Sequence, residues 1–127
     1  MKQVIRTEQA PAPFQGAPYN QAIVANGLVF VAGQLGLDPA TATMVEGGVG
    51  AQTERVFANM RAILEAAGSS LDRVVKTTVF LTNLDDFAGM NEVYAREIGD
   101  APPARSTVEV GRLPSGALVE IEAIALA

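Results

Sequence analysis

The residues best equipped for chemistry lie near the C-terminus. Strand alternation puts Arg105, Thr107 and Glu109 on one face of the segment 105–110. It puts Glu120 and Glu122 on one face of the segment 118–126. Gly111-Arg112-Leu113-Pro114-Ser115-Gly116 joins the two and reads as a turn. Antiparallel pairing across that turn, with partner numbers summing to about 227, sets Arg105 near Glu122 and Thr107 near Glu120. A guanidinium fork can hold a substrate carboxylate bidentately. A neighbouring glutamate can orient or deprotonate a water. The same residues also fit an ordinary cross-strand ion pair on a wet sheet face.

Other candidates carry less. Tyr19 follows Pro18 in a loop and could present its phenol to a pocket or simply pack. Asn91 lies inside a helical segment, where asparagine is a poor helix former; a solvent-facing side chain is the plain account. Gly33 ends a strand, which permits close ligand approach or merely a bend. Gly47-Gly48-Val49-Gly50 matches no phosphate-loop pattern and reads as flexible loop. The carboxylates Asp85, Asp86, Glu109, Glu120 and Glu122 could in principle bind a hard cation, but their spacing requires none.

Composition removes several chemistries. The chain has neither cysteine nor histidine, so disulfides, thiolate metal sites, Cys nucleophiles and Ser-His-Asp triads are excluded. Nine basic residues against 14 acidic ones leave a net charge of −5, the wrong sign for a general nucleic-acid binder. The N-terminal Met1–Arg6 lacks a signal peptide's apolar run, and no apolar stretch approaches a membrane span. A cytoplasmic protein without membrane partners is expected.

The elements that must position these residues follow from patterning. The 127 residues fit one domain over 1–127. Residues 7–18 form a loop broken by Pro11, Pro13, Gly16 and Pro18. Ala22–Ala25 and Leu28–Ala32 read as strands around the hairpin signal Asn26-Gly27. A short strand is expected near Met44-Val45. Residues 51–67 read as an amphipathic helix with Val56, Phe57, Met60, Ile63, Leu64 and Ala67 inward, stopped by Gly68. Val74–Leu81 is a β-branched strand. Leu84–Ile98 reads as a second helix, capped by Asn83 or Asp85, burying Phe87, Met90, Tyr94 and Ile98. The order β-β-α-β-α-β-β predicts an α+β two-layer sandwich, one mixed sheet with both helices on one face. The sheet strands are apolar on both sides, and only 18% of residues are charged. Both features point to oligomerisation through the bare face.

The segment Pro102-Pro103-Ala104-Arg105-Ser106-Thr107-Val108-Glu109-Val110 resembles the signature of the RidA (YjgF-type) reactive intermediate deaminases. So does Arg112-Leu113-Pro114 followed by Val119-Glu120-Ile121-Glu122-Ala123-Ile124-Ala125. Pro18-Tyr19-x-Gln21-Ala22, Gly33-Gln34, Val74–Leu81 through Asp86-Phe87, and Asn91-Glu92-Val93-Tyr94 match in the same order. The resemblance implies a chorismate-mutase-like fold and a homotrimer whose sheets line a central barrel, with pockets at subunit interfaces. It implies cofactor-free hydrolysis of 2-enamine and 2-imine acids, released by pyridoxal-phosphate-dependent dehydratases, to 2-keto acids and ammonia. Position by position, Arg105 matches the arginine that binds the substrate carboxylate, and Glu120 the glutamate that positions water. Tyr19, Gly33 and Asn91 match pocket residues, and Thr107 stands where many members carry cysteine. Ala32 replaces a common serine, and Ala17 a common glycine. Thr107 is expected to alter pocket shape or substrate range, and Ala32 to weaken substrate hydrogen bonding.

Two other readings compete with the enzyme. One is a non-catalytic trimeric module that binds small carboxylates through Arg105. The other is a chaperone-like interaction protein, or the ribonuclease activity claimed for some relatives; the acidic balance and lack of histidine oppose RNA cleavage.

Overall fold

The computed structural model describes residues 1–127. The strands are β1 (Gln3–Ile5), β2 (Ala22–Ala25), β3 (Leu28–Gln34), β4 (Leu37–Asp38), β5 (Thr43–Met44), β6 (Val74–Leu81), β7 (Ala104–Glu109) and β8 (Val119–Leu126). The helices are α1 (Gly48–Ala66) and α2 (Phe87–Ile98). The main sheet runs β1-β2-β3-β8-β6-β7, antiparallel throughout except for the parallel pair β6–β7. This is the α+β architecture expected; the short strand expected near Met44-Val45 is β5, which pairs with β4 in a separate ribbon, and β1 and β4 are the two strands added.

Local sequence explains the elements that patterning finds. Asn26 and Gly27 take φ of 52° and 76°, as a two-residue type I′ turn requires, and Gly27 makes the second angle easy. They set the β2–β3 register, with Ala25 opposite Leu28. Along α1, Val56, Phe57, Met60, Ile63 and Leu64 are all buried against the sheet. On α2 the buried stripe is Met90, Val93, Tyr94 and Ile98. Phe87 departs from expectation. It opens the helix after a 3-10 turn at Leu84–Asp86 and is 41% exposed, because it lies past the edge of the core. Asn83 does cap that turn, its Oδ1 accepting the Asp85 N–H at 2.9 Å.

The expected β7–β8 hairpin does not form. β6 lies between them, with Thr77 beside Arg105 on one side and Phe80 beside Glu120 on the other. Burial explains the choice. β8 carries Val119, Ile121, Ala123 and Ala125 on its inner side and needs a central position. β7, with arginine, serine, threonine and glutamate, suits an edge. The 110–118 link crosses the end of β6, tied there by the Val110 N–H to the Leu81 carbonyl (2.8 Å) and the Thr82 N–H to the Leu118 carbonyl (3.2 Å).

The helices cover one face of the sheet. The other face is open and carries an apolar row, Val4–Ile23–Phe30–Ile124, running across four strands in register. Phe30, Val108 and Leu126 are each more than two-fifths exposed there. No helix is long and apolar enough to cross a membrane.

Candidate active site

The structure divides the predicted site residues between the two sheet faces. Arg105 and Thr107 point from β7 toward the helix side, since Arg105 pairs with buried Thr77 and Thr107 with buried Val79. The Arg105 guanidinium lies 4.7 Å from the Tyr94 ring centre and 5.4 Å from that of Phe87. It makes no ion pair and no side-chain hydrogen bond within the chain; the only two salt bridges join α1 to α2 elsewhere. Glu109, on the same face of β7, instead accepts the Leu84 N–H at 2.9 Å. Asn91 occupies the same side of α2 as Phe87 and Tyr94. Its Oδ1 is buried and has no hydrogen-bond partner. The solvent-facing account of Asn91 therefore fails, and an orphaned acceptor is the feature that merits a ligand.

Glu120 and Glu122 point to the open face, as alternation with buried Val119, Ile121 and Ala123 dictates. Gly33 lies on that side too. It sits in the β3–β8 irregularity between Val31 and Gln34, beneath the Glu120 carboxylate. A Cβ at position 33 would overlap that carboxylate and fall 2.8 Å from its carboxyl carbon. Only glycine leaves Glu120 this position. Burial, and then the charge of Glu122, raise the Glu120 pKa above its ordinary value.

Arg105 and Glu120 are therefore not one patch within a chain. They lie two strands apart, three residues out of register and on opposite faces. Strand geometry puts their Cα atoms roughly 14 Å apart, with the side chains diverging. The expected neighbours Arg105/Glu122 and Thr107/Glu120 are corrected accordingly. Tyr19 belongs to a third location. It lines an open cavity of about 880 Å³ with Arg6, Pro13 and Asn20, and its hydroxyl accepts the Phe14 N–H at 2.6 Å. Buried Gln21 holds that loop, its amide reaching the carbonyls of Thr7, Ala10 and Pro11. No group of three acidic side chains is gathered as metal ligands would be.

Sequence reasoning missed Phe87 and Tyr94 as the surroundings of Arg105. Their spacing with Asn91 on one helix face was the available signal. It also missed that Gly33 serves Glu120, although a strand glycine flags close approach.

A family model described as Endoribonuclease L-PSP matches residues 7–127. The chain belongs to this family, that of the RidA/YjgF proteins. A RutC family protein of Pyrococcus horikoshii is 54% identical over 98% of both chains. The bovine 2-iminobutanoate/2-iminopropanoate deaminase is 40% identical, covering 99% of this chain and 90% of its own length. The crystal structure of RidA from an Antarctic Psychrobacter superposes with a TM-score of 0.93 at 47% identity, covering 98% and 99% of the two chains. The RidA fold thus holds over essentially the whole chain, and the family includes named imine deaminases alongside close relatives known only as RutC proteins.

Proposed function

We propose that this RidA-family chain hydrolyses 2-imino acids, and their enamine tautomers, to 2-keto acids and ammonia. The observation that carries the reading is Arg105: a partly buried guanidinium whose donors are engaged by no group of its own chain. Such a fork suits the carboxylate of a small acid, a charge-assisted contact of about 1.5–3 kcal/mol. The deaminase relatives, at 40% identity and above, support the substrate class.

The reaction asks little more of the protein. Protonated imine carbon is electrophilic. Arg105 holds the carboxylate, while Glu120 accepts a hydrogen bond from water and aims it at that carbon. Water adds to the C=N bond to give a carbinolamine; Glu120 takes the water proton and returns it to nitrogen, and ammonia leaves as C=O forms. The raised Glu120 pKa makes it a better base than an exposed glutamate. Asn91 and Thr107, on the Arg105 side, line the carboxylate end; Gly33, with Glu120, lines the water end. Tyr19 closes the pocket from its loop.

Because Arg105 and Glu120 face opposite ways in one chain, the site requires two copies, one supplying each half. The exposed apolar row on the open face supports that assembly, as a homotrimer with interface pockets.

Coupling a serine/threonine dehydratase to the protein tests the activity. Semicarbazide traps the nascent imine, and an active deaminase diverts it to keto acid. Arg105→Ala should abolish the acceleration with assembly intact. Mixing Arg105→Ala chains with Glu120→Gln chains should restore about a quarter of wild-type activity, the statistical share of interfaces that receive both intact halves. No restoration after verified subunit exchange would refute the shared site. No acceleration over several substrates, with 2-keto acids still bound, would leave a carboxylate-binding module.

A further inference from the structure

We infer that Phe87 and Tyr94 are positioning residues that aim the Arg105 fork at its ligand in place of an acidic partner. This rests on reading Arg105 as the carboxylate anchor.

An arginine at a sheet edge ordinarily turns to the nearest carboxylate. Arg105 does not. The same-face acid, Glu109, is committed to the Leu84 N–H, at the turn that leads into α2. The guanidinium instead lies near two rings, at 4.7 Å from Tyr94 and 5.4 Å from Phe87. Those rings stand seven residues apart, on one side of α2 and two turns along it. Aromatic faces attract the cation without consuming its N–H donors. An acidic partner would occupy those donors and compete with the ligand. The orientation is held firmly behind the rings. Tyr94 is 5% exposed, its hydroxyl is 2.7 Å from buried Thr77 Oγ1, and Phe57 packs edge-on against its ring at 5.4 Å. Thr77 is also the register partner of Arg105. One cross-strand position therefore fixes both the arginine backbone and, through Tyr94, the ring beside its side chain.

The readout must separate aiming of the charge from general packing. Affinities of 2-oxobutanoate and its uncharged analogue 2-oxobutanamide give a carboxylate preference for each variant by calorimetry. Phe87→Leu is the main variant, because Phe87 is partly exposed and its loss should leave the fold intact. The carboxylate preference should fall about tenfold, with the amide affinity little changed, and Phe87→Tyr should restore it. Tyr94→Leu should lower the preference again wherever that variant folds. Arg105→Ala sets the floor. If Arg105→Ala keeps the full preference, the anchor reading fails and this inference with it. If Arg105→Ala loses the preference while Phe87→Leu stays within about twofold of wild type, only the aromatic positioning is overturned. An equal loss for acid and amide in Phe87→Leu would make Phe87 a packing wall and would also overturn it.

Discussion

Replacing Gly33 by alanine should separate catalysis from stability. The added Cβ would lie 2.8 Å from the Glu120 carboxyl carbon and 3.1 Å from its Cγ, with one carboxylate oxygen closer still. Carbon pairs settle at about 3.5–4.0 Å, so the carboxylate must withdraw by about 1 Å. The obstacle is the far end of a flexible side chain. Gly33 is also not among the residues with positive φ, so alanine meets no backbone strain there. Stability should therefore change by less than about 1 kcal/mol. Catalysis should not be so tolerant. A misplacement near 1 Å of a group that aims water costs on the order of 100-fold. The dehydratase-coupled assay would measure imine hydrolysis, and thermal unfolding would measure stability on the same preparation. In a Glu120→Gln background the alanine should cost little further, since the group it displaces no longer takes a proton. Gly33→Ala activity within about threefold of wild type at an unchanged Tm would refute the link between Gly33, Glu120 and water.

Other expectations follow from the same geometry. Glu120 has a raised pKa in the folded chain, so it disfavours folding once pH rises through that value; below the ordinary 4.5 the penalty is absent. Glu120→Gln should thus raise Tm at neutral pH and lose that advantage as pH falls below about 4.5, while wild-type activity should rise with pH as Glu120 ionises; a Tm difference independent of pH would contradict the assignment. Gln21→Ala should cost about 2–3 kcal/mol, because it strips hydrogen bonds from the Thr7, Ala10 and Pro11 carbonyls, and chemical denaturation would read the loss. Sedimentation should report about three times 13.2 kDa, and a clean monomer would remove the shared site.

What the sequence made legible is what neighbouring residues decide. Asn26-Gly27 sets its own hairpin, and the apolar spacing of α1 sets its buried face. The faces of β7 and β8 follow from alternation alone, and both emerge as read. Their pairing did not, because it depends on a competition among all strands for the centre of the sheet. The apolar side of β8 wins that place, and β6 separates it from β7. β1 escaped notice because three residues with one buried isoleucine carry no periodic signal. Helical spacing places Phe87 inward although it is exposed, because spacing gives a direction around the axis, not a position relative to the core's edge. The contacts of Arg105 with Tyr94 and of Glu120 with Gly33 join segments distant in sequence, beyond the reach of local patterning.

Placing Arg105 and Glu120 on opposite faces has a chemical consequence. Side by side in one chain they would form an ion pair, which lowers the glutamate pKa and fills the arginine fork. Each would then lose the property the reaction uses. Apart, each keeps it. Arg105 rests against rings that leave its donors free, and burial raises Glu120 toward the range of a useful base. In the proposed assembly the two halves would meet across a subunit interface, rather than within the reach of side chains on one sheet face. Under that proposal the substrate carboxylate would satisfy the arginine, and the substrate with its water would hold the two charges apart. An empty site of this kind must also keep cation and carboxylate from closing into direct contact. The backbone resists that collapse. Arg105 is anchored through Thr77 and Tyr94, and Glu120 is seated over Gly33 on a separate strand.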